Sequence, residues 1–234
     1  MDLSLRLGQA GEHLQSGDVR GLLRKVIYSE TIGIVSRRDL TDASGPRASR
    51  IDCETRTASQ QDVDALLSFD RDHVLSSDEE SQRRLQRRLV ARLGVENCYV
   101  ADRGDMGPCF MIYLFCPEDN EMIQAKFPGL YPVLAPDEAL VEFLYVAPRA
   151  RRFWFATECL ILVTEEARRR GARSVITITG TDNRGASMVL RFAGFRAESV
   201  RRSKYRFFRR TITHGPRGTG ISDGPTDVPI DRSS

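Results

Sequence analysis

Apolar residues fall at helical spacing early in the chain. Val19, Leu22, Leu23, Val26 and Ile27 share one face, with Ser16 or Asp18 as N-cap. Thr31–Val35 then reads as a strand, and the turn-rich stretch Arg37–Arg50, containing Asp42, Ser44, Gly45 and Pro46, reads as a linker. Residues 1–50 are therefore expected to form a helix-strand extension to the main unit. From Ile51 the pattern becomes regular. Ile51–Thr57 alternates as a short strand. Ser59-Gln60-Gln61-Asp62 is a capping-box signature for a helix reaching Phe69, and Ser76 or Ser77 before Asp78-Glu79-Glu80 caps a second helix ending at Leu93. Asn97–Asp102 and Pro108–Phe115 pattern as a hairpin around Arg103-Gly104-Asp105, and Pro117–Pro136 as an irregular insertion.

The stretch from Ala139 to Phe195 carries most of the information. An apolar strand ends at Val146-Ala147-Pro148. The arginines Arg149, Arg151 and Arg152 follow and run straight into an amphipathic helix over Phe155–Gly171. Val175–Thr179 is a β-branched strand, and a short helix after Asn183 stops at Gly194-Phe195. Arg196–Val200 and Tyr205–Ile212 read as closing antiparallel strands. The tail 213–234, rich in Gly, Pro, Asp and Ser, reads as disordered. The order β-α-α-β-β-β-α-β-α-β-β over 51–212 gives an α/β (α+β) domain: a mixed sheet with helices on its faces.

Charge changes this picture little. The 35 basic residues nearly balance 32 acidic ones, leaving +3, which argues against a general nucleic-acid binder. Five cysteines (Cys53, Cys98, Cys109, Cys116, Cys159) and three histidines (His13, His73, His214) show no metal spacing, so no metal is expected. Scattered, odd-numbered cysteines point to reduced thiols in a cytoplasmic protein, with Cys159 facing the core. No apolar run reaches the roughly 18–20 residues a membrane span needs. The arginine turn matters more. A helix N-terminus offers unpaired N–H groups and the positive end of the helix dipole, so Arg149–Ala156 is a phosphate cradle in outline.

The element order, with these motifs inside it, resembles the GCN5-related N-acetyltransferase superfamily over roughly Ile51–Arg210. The fourth strand of that family ends in LYV-x-P, here Leu144-Tyr145-Val146-Ala147-Pro148. A pyrophosphate loop Q/R-x-x-G-x-G/A follows, and a later helix reads N-x-x-A/S and ends in G-F, here Asn183-Arg184-Gly185-Ala186-Ser187 and Gly194-Phe195. The resemblance implies a mostly antiparallel sheet that splays between its fourth and fifth strands, Phe143–Val146 and Val175–Thr179. It implies acetyl-CoA or another acyl-CoA as co-substrate and an amine acceptor, a small molecule or a protein. The donor would be held by Leu144, Val146, Arg149, Arg151, Arg152, Phe153, Trp154, Phe155, Ala156, Asn183 and Ala186. Glu142 would be the base, and Tyr145 would line the acyl site. The N–H of Tyr145 or Val146 would face the oxyanion.

Two departures qualify the resemblance. Aligned on Arg151, the loop carries Trp154 where the middle glycine stands, and Leu190 occupies the position seven residues after the helix Asn where many members hold a tyrosine acid. Glu142 can equally be a solvated strand residue, Tyr145 a packing residue, and Asn183 simply an N-cap competing with Asp182. Arg168-Arg169-Arg170 suits a helix C-terminus. Arg201, Arg202, Arg206, Arg209 and Arg210 either dock an acidic carrier or solvate an edge strand. Three readings follow: an acyl-CoA N-acetyltransferase, an N-acyltransferase fed by an acyl carrier protein, and a binding module on a degenerate acetyltransferase fold. A homodimer stays open.

Overall fold

Strand β5 (Glu138–Val146) is near-continuously apolar, as a strand covered on both faces must be. Around it the computed structural model builds one eight-stranded sheet in the order β2-β3-β4-β5-β6-β1-β7-β8. The structure describes residues 28–42, 45, 53, 55–68, 77–103, 107–151, 153–206 and 209–216. The remaining strands are β1 (Tyr28–Asp39), β2 (Thr55–Thr57), β3 (Cys98–Asp102), β4 (Pro108–Phe115), β6 (Ser174–Gly180), β7 (Arg196–Arg206) and β8 (Arg209–Pro216). Helices α1 (Gln60–Leu67), α2 (Ser77–Leu93), α3 (Asn120–Lys126), α4 (Phe153–Arg169) and α5 (Arg184–Phe192) flank it. All neighbouring strands are antiparallel except β5 and β6.

The helices start where the chain supplies caps. Ser59 accepts from the Asp62 N–H while the Asp62 carboxylate accepts from Ser59, closing the box expected for α1. Asp78, Glu79 and Glu80 fill the first turn of α2, where the helix dipole favours anions. The expected insertion is ordered. It holds α3, and the Asn120 side chain bridges to the Leu134 N–H and C=O while Phe127, Tyr131 and Leu134 are buried.

The N-terminal strand is the largest departure from the sequence reading. It is longer than Thr31–Val35 and lies inside the sheet, paired with β6 over Gly33–Asp39 and with β7 over Tyr28–Arg37. A boundary at residue 50 therefore does not separate it from the main sheet. Arg37 and Arg38, expected to open a linker, are strand residues held by partners. Arg37 reaches Glu138, Ser174 and Glu198, and Arg38 reaches Thr164 and Glu165. Gly33 has no room for a side chain, because a Cβ there would sit 2.8 Å from Ile178 Cγ2. The helix expected over Ser16–Ile27 lies outside the described residues. Strand β8 runs to Pro216, four residues into the tail expected to be disordered, and the rest of that tail lies outside the described residues.

Two layers of core sit on the two faces of the sheet. One packs α4 and α5 onto it through Phe155, Cys159, Leu160, Val163, Val189 and Leu190. The other covers it with α1, α2 and α3 through Val63, Leu66, Leu89, Val90 and Ile123.

Candidate active site

A single extra residue in β5 sets up the site. Glu142 stands opposite Tyr113, and Tyr145 stands opposite Met111, so three steps along β5 match two along β4. Phe143 takes up the difference with φ of 61°, a left-handed conformation that an aromatic residue rarely adopts. In a regular strand, residues three apart face opposite sides. Here Phe143 and Tyr145 both join the core layer under α1 and α2, while Leu144 and Val146 pack on the α4 layer. The bulge thus brings Glu142 and Tyr145 to one face. The Phe143 ring sits among Tyr113, Phe127 and Tyr131, which holds the strained residue in place.

The same region is where the sheet opens. β5 and β6 are paired only over Glu138–Leu140 and Ser174–Ile176. Beyond that the Glu142 side chain fills the space between them, accepting a 2.6 Å hydrogen bond from the Ile178 N–H. Thr177 Oγ1 and Tyr131 OH lie at the edge of hydrogen-bond range, 3.4 and 3.5 Å away. Burial pushes the Glu142 carboxyl up to about 7, against the opposing pull of the Ile178 N–H and the nearby Arg201 guanidinium. A group poised near neutrality exchanges a proton readily. On the other edge of β5 the Ala147 N–H donates to Cys109 O of β4 at 2.8 Å. Successive N–H groups alternate in direction, so the Val146 N–H points to the open side.

Tyr145 is committed elsewhere. Its hydroxyl, almost fully buried, donates to Glu79 Oε1 at 2.7 Å and accepts from Arg83 Nε at 3.1 Å. Burial, followed by the Glu79 contact, raises it to about 12. Glu79 also takes Arg151, which donates further to Gln82 Oε1 at 3.2 Å and to the Val146 carbonyl at 3.1 Å. Arg83 in turn donates to Ser68 O at 2.5 Å. Glu79 and Arg83 are functional candidates that the sequence reading missed. Their signal was available: Glu79, Arg83 and Gln86 recur at i, i+4 and i+7 on α2, the stripe that Leu89 and Val90 continue. Glu79 entered only as part of the acidic first turn of that helix, and Arg83 was not singled out.

The residues assigned to the donor divide into two groups. Val146, Arg149, Arg151, Trp154, Phe155 and Ala156 follow one another through the turn into α4, as expected. Arg149 donates to Pro108 O at 2.9 Å, and Arg151, though still exposed, is drawn back onto α2. Trp154 is 44% exposed in the first turn of α4, with the Arg103 guanidinium 5.3 Å over its ring. Phe155 and Ala156 are buried, so only their backbone can meet a ligand. Leu144 packs against the α4 layer. The Phe153 backbone begins α4, while Arg152 lies outside the described residues. Asn183 and Ala186 form a cap on α5, with Asn183 Oδ1 accepting from the Ala186 N–H at 3.0 Å. Leu190 is buried in the core. A cleft of about 550 Å³ between α1 and α2, lined by Val63, Leu67 and Arg87 among others, includes no residue of β5 or β6. No group of residues suited to a metal ion occurs among the described residues, and no described helix is long and apolar enough to cross a membrane.

No family model matches the chain, and no curated protein matches it. Solved structures do. A GNAT-family acetyltransferase from Colwellia psychrerythraea is 14% identical with a TM-score of 0.46, over 76% of this chain and 57% of that one. A GCN5-related N-acetyltransferase from Sphaerobacter thermophilus is 16% identical with a TM-score of 0.45, over 84% of this chain and 55% of that one. Proteins described as GNAT or GCN5-related recur among the similar structures. A conserved protein of unknown function from Staphylococcus epidermidis is 10% identical with a TM-score of 0.48, over 78% and 63%. The chain thus spans less than two thirds of each of these three structures.

Proposed function

We propose that this protein is an N-acyltransferase that moves an acyl group, acetyl in the first instance, from acyl-CoA to an amine. One observation carries the reading: a buried carboxyl, Glu142, stands where β5 and β6 part, held by the Ile178 N–H and titrating at about 7. The family resemblance of Leu144–Pro148 and Asn183–Ser187 points to the same gap.

The chemistry follows from the groups around that gap. A neutral amine attacks the thioester carbonyl, and the new C–N bond forms as the carbonyl π pair moves onto oxygen. The Val146 N–H, on the open side of β5, stabilises that oxyanion. Glu142, ionised above pH 7, accepts the amine proton directly or through one water. The oxyanion then collapses and the C–S bond breaks, releasing a thiolate. A thiol of ordinary pKa near 8.5 leaves without a strong acid, so a buried Leu190 and a Tyr145 bound to Glu79 do not block the step. The pantetheine arm would lie along the unpaired edges beyond Leu140 and Ile176 as an added strand. The turn into α4 would hold the diphosphate, with Arg151 turning from Glu79 to meet it.

A carrier-protein donor is the second reading, favoured by the exposed Trp154 at the first turn of α4. Calorimetric titration with acetyl-CoA, CoA and an acylated carrier protein separates the readings. Binding of CoA that changes little with salt supports the first, and carrier binding that weakens with salt supports the second. Failure of all three ligands to bind leaves a non-enzymatic module. The acceptor is an amine of a small molecule or a protein, whose selection falls to α1, α2 and the 117–136 segment.

A further inference from the structure

Away from the gap, one pair of nucleophilic side chains is in contact. Cys53 lies in the segment joining β1 to β2, and Cys159 lies in the second turn of α4. Their Sγ atoms are 3.7 Å apart although the residues are separated by 106 positions in the chain. Cys53 is half-buried and Cys159 is buried. Cys53 packs against the same core layer that contains Cys159, Phe155 and Leu160, so the contact is part of that packing. A disulfide requires sulfurs at about 2.05 Å, which the pair reaches by closing a gap already at van der Waals contact.

The two thiols differ in the way that stepwise oxidation needs. Cys53 has solvent access. Cys159 has none, and the contact with Cys53, then burial, holds its thiol well above the ordinary range. Removing the Cys53 hydrogen bond removes the largest of those influences. Cys109, fully buried, and Glu158 are the other titratable groups acting on Cys159.

We propose that Cys53 and Cys159 form an oxidisable dithiol, a modification site whose co-reactant is a low-molecular-weight disulfide. The Cys53 thiolate attacks one sulfur of the external disulfide, forming a mixed disulfide and releasing one small thiol. Cys159 then loses its proton and attacks Cys53 Sγ, expelling the second small thiol. The protein gives up two electrons and two protons, and the external disulfide takes them as two thiols. The product fastens the segment between interior strand β1 and edge strand β2 onto α4, the helix whose first turn faces the donor side.

The test is thiol counting on the native full-length protein incubated with oxidised glutathione at pH 8, followed by mass mapping. Two of the five thiols should disappear, the intact mass should fall by two hydrogens, and digestion should release a peptide linked through Cys53 and Cys159. Dithiothreitol should restore all five thiols. Cys53→Ser, a conservative change at a half-buried position, should start with four thiols and keep four. A persistent glutathione adduct on Cys53 beside a free Cys159 overturns the proposal. So does a link through Cys109, or survival of all five thiols.

Discussion

The two faces of the sheet bury polar groups in different ways. On the α4 face the buried charge among the described residues is Arg38, held by Thr164 Oγ1 and Glu165, beside an apolar cluster that includes Phe155, Leu160 and Leu190 and the neutral hydroxyl residue Thr157. On the α2 face Glu79, Arg83, Tyr145 and Glu142 are all buried within two turns of helix and four residues of strand. Buried ionisable groups cost stability unless fully partnered, and Glu142 has one short hydrogen bond. The difference separates a layer that holds the fold from a layer that gives up stability for chemistry.

That contrast can be broken most sharply at Glu142. Glu142→Gln keeps an acceptor for the Ile178 N–H and removes the base, so kcat/KM should fall by roughly 10²–10³. The same variant should be more stable than the parent at pH 8. Glu142 is raised from its ordinary 4.5 to about 7, so the folded state binds the extra proton between those values. Stability should therefore fall as pH rises from about 4.5 through 7, by on the order of 3 kcal/mol. Denaturant unfolding across pH 4–8 should show this slope in the parent and lose it in Glu142→Gln.

Substitutions on the two faces should then differ in kind. Leu160→Ala on the α4 face should cost about 3 kcal/mol of stability and leave the pH slope unchanged. Glu79→Ala strips the carboxylate from Tyr145, Arg83 and Arg151 together. With Arg83 left buried beside Tyr145, it should cost roughly 3 kcal/mol in unfolding experiments. It should also free Arg151, so CoA should bind more tightly in calorimetry even as the fold weakens. A smaller effect is expected at Gly33, where Gly33→Ala drives a methyl into Ile178 and should cost about 1–3 kcal/mol. The smallest is at Trp154. Trp154→Gly should change CoA affinity by less than about tenfold, upward if the indole crowds the diphosphate.

Much of the architecture was legible in local pattern. The Ser59 box, the acidic first turn of α2 and the Asn183 cap each depend on residues within four positions of one another, and the β3–β4 hairpin on pairs no more than fifteen positions apart. β1 was not legible as an interior strand. Arg37 and Arg38 read as the start of a linker, because the partners that neutralise them, Glu138, Glu165 and Glu198, are more than a hundred positions away. At the site, Glu142 could be singled out, but its environment depends on a bulge that no sequence period announces. Arg151 was read as a free phosphate ligand, and its engagement with Glu79 depends on the placement of α2 against the turn after β5.

The most direct test of the account is a ¹³C NMR titration of the Glu142 side-chain carboxyl in the folded protein, with and without saturating CoA. Burial of Glu142 should give a midpoint near 7 that moves when CoA occupies the gap between β5 and β6. A midpoint between 4 and 5, unmoved by CoA, would contradict it.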